Sequence, residues 1–288
     1  MEERCDHSLG TPPSTSTDDK RKASVFLKVP IAQESRFYAM NGKKRGKVLI
    51  FNHRLFDDET YEERIGTKED VIRLRKTLPK LGFLSEDITM YRNFSRKEIE
   101  LQAMNLYADS TLVDCDCLIT FILTHGETGD RLMARDTSYP LYRIIEHYTP
   151  SALPSMAGKP KLFIVQACRG GYLDSGRIFL ENRSLMDSMD SVGNTFTYPE
   201  YADFLIVMSS HLGHVSFINK EGSWLIQEFC NVVDNCRVDQ DSIYDILTKT
   251  NAAVSKRVSC NADGKLDGKK QVSSFYSTLT KSLYFARK

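Results

Sequence analysis

Two residues with catalytic chemistry each stand directly after a short apolar run. Cys168 follows the apolar segment 161–167, and His125 follows the segment 117–124. A thiol attacks an amide carbonyl as the thiolate, and a nearby histidine is the usual base that generates it. Glycines follow both residues, as suits a backbone whose N–H groups must approach a developing oxyanion. The pair indicates nucleophilic catalysis, although a cysteine after an apolar strand is also compatible with a buried, inert thiol.

The elements that must position this pair alternate between apolar strands and amphipathic helices. Apolar runs over 47–52, 117–124, 161–167 and 203–208 predict buried strands, and a closing pair is expected near 271–275 and 283–286. Helical periodicity covers 67–81, 95–109, 222–235 and 241–256, with Thr67 and Asp70 resembling a capping box. The order predicts an α/β fold with a mostly parallel sheet covered on both faces. In such sheets ligands bind beyond the carboxyl ends of the strands, where both residues fall.

The composition fits an ordinary globular protein, with 41% hydrophobic and 27% charged residues among 288. A net charge of +1 suggests neither nucleic acid nor a membrane surface as a partner. The chain has no secretory signal and no run approaching the roughly 20 apolar residues of a membrane span, so we expect a cytoplasmic protein. Seven cysteines at irregular spacing argue against a disulfide framework. Cys115 and Cys117 have no second ligand pair nearby, so we predict no metal and no cofactor.

The segments around the candidate pair resemble those of caspases. Residues 166–170 read QACRG, the nucleophile signature of that family, and residues 124–129 read THGETG, similar to its histidine motif. Further matches are GKPKLF at 158–163, GSW at 222–224 and LTKSLYF at 279–285. The resemblance covers about residues 45–287, and the chain is identified as a member of the caspase family.

The resemblance implies a fold and a division of the chain. The expected fold is a caspase-like three-layer αβα sandwich, with a mostly parallel six-stranded sheet and helices on both faces. The expected segments are a short disordered leader (1–35), a large subunit (36–187), a linker (188–198) and a small subunit (199–288). Such a chain is a zymogen, and Asp187 and Asp190, each followed by serine, are the expected processing sites. The leader is too short for a helical recruitment domain, which favours the executioner type.

The resemblance also implies roles for particular residues. Cys168 would be the nucleophile and His125 its base, with the N–H groups of Gly126 and Cys168 forming the oxyanion hole. Caspases cleave after aspartate and hold its carboxylate with two arginines and a glutamine, to which Arg64 and Gln166 correspond. The remaining positions matched to substrate binding are Ser216, Phe217, Ile218, Asn219 and Trp224.

One position departs from the family pattern. Ile218 stands where the second arginine is expected, no Arg or Lys occurs between Asp203 and Asn219, and Lys220 is the nearest cation. Removing one partner of a buried charge pair costs ~2–5 kcal/mol, or roughly 30-fold to several thousand-fold in kcat/KM. Recognition of aspartate is therefore expected to be weakened while the Cys–His pair is kept.

The resemblance and the departure at Ile218 are compatible with two functions of different classes. The first is an active cysteine endopeptidase with a role in apoptosis or proteolytic signalling. The second is a catalytically impaired decoy that regulates an active paralogue by dimerisation. A cysteine hydrolase outside the caspase family would leave the matches at 222–224 and 279–285 unexplained. The implied partners are protein substrates with aspartate at P1, a second caspase chain in a homodimer or heterodimer, and inhibitor-of-apoptosis-type proteins.

Two histidines, His211 and His214, flank the turn that follows the fourth predicted strand. They are interpreted either as solvated surface residues or as a ligand pair or second base.

Overall fold

A six-stranded sheet forms the centre of the protein. The computed structural model describes residues 35–175, 199–260 and 264–286. In chain order the strands are β1 (Lys44–Asn52), β2 (Ile88–Arg92), β3 (Cys115–Leu123), β4 (Gly126–Glu127), β5 (Arg131–Met133), β6 (Ser138–Pro140), β7 (Lys161–Gln166), β8 (Phe204–Met208), β9 (Ile218–Asn219), β10 (Gly222–Ser223) and β11 (Ser274–Ser277). The helices are α1 (Thr67–Thr77), α2 (Arg96–Asn105), α3 (Tyr142–Ile145), α4 (Trp224–Asn235) and α5 (Ile243–Lys256).

The large sheet is mostly parallel, as predicted. Its order is β11-β8-β7-β3-β1-β2, and only β11 runs antiparallel to its neighbour. Every residue of the central strands β3 and β7 is buried. Strands covered on both faces need apolar side chains at consecutive positions, which explains why these two strands read as continuous apolar runs.

Helices cover both faces of the sheet. Consecutive residues of β1 point to opposite sides, so Ile50 joins one apolar core and Phe51 the other. The core around Ile50 includes Leu74 of α1, together with side chains of α4 and α5. The core around Phe51 includes Ile99 of α2 and Ile144 of α3. The predicted three-layer αβα sandwich is therefore confirmed.

Two strand predictions differ from the structure. The expected strand over 283–286 is not formed, because this segment pairs with no strand of the described sheet, although Leu283 and Phe285 are buried in the core around Ile50. The carbonyl of Leu283 accepts a hydrogen bond from Ile243 N at the start of α5. The other closing strand lies a few residues later than expected, at Ser274–Ser277. Strand β2 was not predicted, because it lies at the sheet edge and has no apolar run: only Ile88 of its five residues is buried.

The predicted capping box at the start of α1 is wrong. The residue that caps α1 is Gly66, in the left-handed region with φ 96°, and it makes no side-chain cap. A Cβ on Gly66 would lie 1.8 Å from the carbonyl oxygen of Asn219, so this close approach of two chain segments requires glycine. Asp70 does not cap the helix; its Oδ1 accepts a hydrogen bond from Ser223 N at the start of α4.

Parts of the predicted division lie outside the described residues. These are nearly all of the leader (1–35), the linker (188–198), and the expected processing sites Asp187 and Asp190. None of the helices in the described ranges is long and apolar enough to cross a membrane.

Candidate active site

Neighbouring parallel strands bring His125 and Cys168 to the same edge of the sheet. Strand β3 ends at Leu123, β7 ends at Gln166, and these two residues are paired in register. The pairing continues one step further, because Thr124 N donates to the carbonyl of Gln166 at 3.0 Å. His125 and Cys168 each lie two residues beyond the paired positions. The prediction that the two residues share one sheet edge therefore agrees with the geometry.

The backbones of Gly126 and Cys168 touch. A Cβ on Gly126 would lie 2.2 Å from the carbonyl oxygen of Cys168 and 3.0 Å from the Cβ of Ala167. A distance of 2.2 Å is far shorter than any van der Waals contact, so no residue with a side chain fits here without backbone movement. The two amides that the resemblance assigns to the oxyanion hole thus lie in one corner of the site.

The surroundings of His125 select one tautomer of its ring. His125 Nε2 lies 2.7 Å from the carbonyl oxygen of Glu62. A carbonyl only accepts hydrogen bonds, so Nε2 carries the proton and the neutral ring keeps a lone pair on Nδ1. The rings of Phe56 and Tyr61 pack against the imidazole, with centroids 4.9 and 5.6 Å away. The resulting burial lowers the pKa of His125 below its ordinary value, which favours the free base at neutral pH.

The Cys168 thiol lies in a hydrogen-bond network with two neighbours. Ser216 N donates to Cys168 Sγ at 3.3 Å, and Ser216 Oγ accepts from Gln166 Nε2 at 3.1 Å. Gln166 is 2% exposed, and its Oε1 atom has no hydrogen-bond partner among the described residues. A buried acceptor without a donor is costly, so this oxygen is suited to a hydrogen-bond donor brought by a ligand.

Arg64 is a buried cation beside the same site. It is 3% exposed, and its Nη1 donates to the carbonyl of His53 at 3.0 Å and to Thr67 Oγ1 at 3.1 Å. Burial lowers the pKa of Arg64 to about 10, which leaves it charged at neutral pH. Asp70 is near enough to raise this pKa electrostatically, but no carboxylate of the described residues forms a direct ion pair with Arg64. A buried guanidinium whose hydrogen bonds go to one carbonyl and one hydroxyl keeps donors for a carboxylate brought by a ligand.

The segment after β8 forms an apolar wall next to the thiol. The rings of Phe217 and Trp224 lie 4.7 Å apart, and Trp224 N donates to the carbonyl of Phe217. Phe217 N donates to Gln271 Oε1 at 2.7 Å, and Gln271 Nε2 donates to the carbonyl of Ser209 at 2.7 Å. Gln271 therefore fastens this segment to the end of β8.

Ile218 lies in β9, half-buried and paired with Ser223 of β10. Its neighbours Asn219 and Lys220 are exposed. Of the sequence-predicted site residues, Ser216 contacts Cys168, Gln166 bonds to Ser216, and Arg64 interacts electrostatically with the thiol. The loop that carries Arg64 and the segment that carries Ser216 and Ile218 meet where Gly66 touches Asn219. The segment that carries Ile218 supplies no cation between Asp203 and Asn219.

Three side chains that support the site were not found from the sequence. Asp130 binds Arg169 in a two-point ion pair, with Nε–Oδ1 and Nη2–Oδ2 distances of 2.6 and 2.8 Å. Asp70 accepts from Ser223 N at 2.8 Å and from Gln227 Nε2 at 2.9 Å, which ties α1 to α4. Gln271 is the third. Each pairs with a residue distant in the chain, and no local spacing signals such contacts.

His211 and His214 lie on the turn after β8, with ring centroids 5.6 Å apart. His214 packs against Tyr172, and its Nδ1 lies 3.0 Å from the carbonyl of Leu212. Neither ring contacts Cys168 or His125 in the described part of the chain. Within residues 35–175, 199–260 and 264–286, no three His, Cys, Asp or Glu side chains are grouped to hold a metal ion.

The fold, with Cys168 and His125 at one sheet edge, is compatible with the class of cysteine peptidases built on an αβα sandwich. A family model described as "Caspase domain" matches residues 45–284. Caspase-1 of Spodoptera frugiperda is 35% identical over 264 residues, covering 91% of this chain and 85% of that protein. Caspase drICE of Drosophila melanogaster is 36% identical over 260 residues, covering 87% and 73%. The crystal structure of caspase-1 from Spodoptera frugiperda superposes with a TM-score of 0.80 at 33% identity, covering 91% of this chain and 97% of that one. The chain belongs to the caspase family.

Proposed function

We propose that this protein is a caspase-type cysteine endopeptidase that cleaves protein substrates after aspartate in apoptotic signalling. The observation that carries the proposal is the buried Arg64 guanidinium, which forms no direct ion pair with a carboxylate of the described residues and lies near the Cys168 thiol. A carboxylate at P1 is the group that such a cation binds best. Binding of this side chain places the backbone carbonyl of the same aspartate next to the Cys168 nucleophile.

The tautomer of His125 assigns the proton transfers of this mechanism. His125 Nδ1 takes the thiol proton, and the Cys168 thiolate attacks the substrate carbonyl carbon. The resulting oxyanion accepts hydrogen bonds from Gly126 N–H and Cys168 N–H. The imidazolium then protonates the leaving amine, and water hydrolyses the thioester with His125 again acting as base. The hydrogen bond from Nε2 to Glu62 holds the ring in place throughout.

Recognition of aspartate is predicted to be weak but present. Arg64 and the second N–H of Gln166 Nε2 donate to the P1 carboxylate, and Ile218 contributes only apolar surface. Ser216 and Asn219 offer backbone groups to the substrate chain, while the Phe217–Trp224 wall receives the P2 side chain. Lys220 adds at most a mobile point charge, because an ammonium cannot form the two-point contact of a guanidinium.

The organisation of the chain belongs to the same proposal. Cleavage after Asp187 or Asp190 separates the large subunit (36–187) from the small subunit (199–288), with 1–35 as the leader and 188–198 as the linker. The family's members form dimers, and we propose a homodimer or heterodimer here, with inhibitor-of-apoptosis-type proteins as regulators. A cytoplasmic location is proposed.

The test is a peptide library varied at P1. The processed protein is incubated with the library, and products are identified by mass spectrometry. Cleavage after aspartate that disappears in Cys168→Ala supports the proposal. The same products from Cys168→Ala, or none from the wild type at micromolar enzyme, would contradict it.

The second candidate is a decoy that regulates an active caspase by pairing with it. Ile218 favours this function, because it removes one cation of the P1 site without disturbing the fold. Strand β11 lies at the sheet edge and pairs on one side with β8. Co-purification with an active paralogue, together with a change in the paralogue's turnover that persists in Cys168→Ala, supports this candidate.

A further inference from the structure

A cavity of about 430 Å³ opens along one side of α1. It lies between α1 and the carboxyl ends of β1 and β2, where Asn52 and Arg92 close the two strands. Neither Cys168 nor His125 lines it. The volume falls within the range of roughly 300–1,000 Å³ typical of small-molecule sites.

The rim of this cavity is strongly basic. Four of its lining residues are cations, and none of the described residues that line it is Asp or Glu. One cation is already paired, because Arg54 forms an exposed ion pair with Glu63. The side chains of the other three make no ion pair or hydrogen bond with any residue of the described ranges; they are Lys68, Arg75 and Arg92. Like charges held around one concavity raise the local potential and attract an anion.

A buried amide adds an unused donor to the same cavity. Asn52 is 7% exposed, and its Oδ1 accepts a hydrogen bond from the Thr67 hydroxyl. The direction of this bond is set by Arg64, because Thr67 Oγ1 already accepts from the guanidinium and must donate its own hydrogen to Asn52. The amide nitrogen of Asn52 takes no part in this bond, and it donates to no residue in the described part of the chain. Because Asn52 lines the cavity, this N–H₂ group is a donor that a bound ligand can use.

The floor of the cavity is apolar. Val71 is buried, Met90 is half-buried, and Ile72 is 50% exposed. A floor of this kind does not suit a bare inorganic ion, which would gain nothing from it. It suits a ligand with an organic part that buries apolar surface.

We propose that this cavity binds a small organic phosphate. The phosphate oxygens take bidentate contacts from Arg75 and Arg92, a point charge from Lys68 and the N–H₂ donor of Asn52. The organic part lies on Val71, Ile72 and Met90. This site goes beyond the proposed peptidase function, and its test does not depend on catalysis.

The test is calorimetric titration of the full chain at physiological salt and without divalent cations, with ATP as the probe. Inorganic tripolyphosphate and adenosine separate the phosphate and organic contributions. We expect one equivalent of ATP to bind more tightly than either fragment. Arg75→Ser and Arg92→Ser should each weaken ATP binding by about tenfold or more. Lys76→Ser is the matched control, because Lys76 is exposed on the same last turn of α1 but does not line the cavity.

Several results would overturn the proposal. They are the absence of saturable ATP binding, tripolyphosphate binding as tightly as ATP, adenosine binding as tightly as ATP, or equal weakening by Lys76→Ser and Arg75→Ser. Unfolding midpoints of the variants are measured alongside, and since the three substituted side chains are exposed, we expect these midpoints to match the wild type.

Discussion

Gly126 and Cys168 approach so closely that a Cβ on the glycine would lie 2.2 Å from the cysteine's carbonyl oxygen. This contact joins the loop after β3 to the loop after β7 and sets the positions of the two amides proposed to bind the oxyanion. The site therefore depends on backbone geometry as well as on the two catalytic side chains.

Gly126→Ala should lower kcat/KM for an aspartyl peptide by roughly 10²–10³-fold, the loss typical of removing one oxyanion donor. The added methyl group must push the two backbones apart. Gly171→Ala is the control, since a Cβ there meets nothing within 4 Å. Equal kcat/KM values for the two variants would show that the contact does not position the oxyanion hole.

Phe56→Ala should shift the acidic limb of the kcat/KM profile to higher pH. Burial against Phe56 and Tyr61 lowers the pKa of His125, so the base stays unprotonated further into acid. Removing the ring readmits water and raises this pKa, so activity is lost at a higher pH as the solution is acidified. The measurement is kcat/KM from pH 5 to 8, with the exposed neighbour Leu55→Ala as control. An unshifted limb in Phe56→Ala contradicts the assignment of His125 as the base.

His53 should make the fold sensitive to acid. Burial lowers its pKa to about 4, against 6.5 in the unfolded chain. A group whose pKa is lowered by folding adds stability above its unfolded pKa, and that stability is lost as pH falls towards the folded value. The loss attributable to His53 is about 3 kcal/mol between pH 6.5 and 4. Urea unfolding across this range should show a shallower decline in His53→Gln, and identical slopes would refute the prediction.

Ile218→Arg should raise kcat/KM for aspartyl peptides by roughly 30-fold to several thousand-fold. The substitution restores the second cation that the family pattern expects at this position. Asn219→Arg adds the same charge to the exposed neighbour in β9 and serves as the control. A gain of similar size in both variants would mean that net charge, and not a P1 contact, is responsible.

The sequence predicted the parts of this structure that local patterns encode. Strands β3 and β7 are covered on both faces, so their apolar runs identified them, and the residues after them identified the sheet edge. The edge strand β2 has one buried residue, so no run marked it. The tail around Leu283 and Phe285 looked like a strand because buried side chains alternate there, although the chain pairs with no neighbouring strand in the described sheet.

The contacts that support the site could not be predicted from the sequence, for a different reason. His125 is held by a carbonyl of Glu62, and every residue has a carbonyl, so no residue type signals the contact. The spacing of Asp70 from Thr67 fits a capping box, so the sequence predicts a helix cap at this position. The hydrogen-bond partners of Asp70, which are Ser223 and Gln227, lie 153 and 157 residues further along the chain and meet it only in the folded state.

The most direct test of the proposed catalytic pair is covalent labelling with a peptidyl-aspartyl fluoromethyl ketone, followed by peptide mass spectrometry. We predict one equivalent of label on Cys168, loss of labelling in His125→Ala, and none on the exposed thiol of Cys260, which serves as an internal control. Labelling that is absent from Cys168, or that is equal on Cys168 and Cys260, would contradict the account.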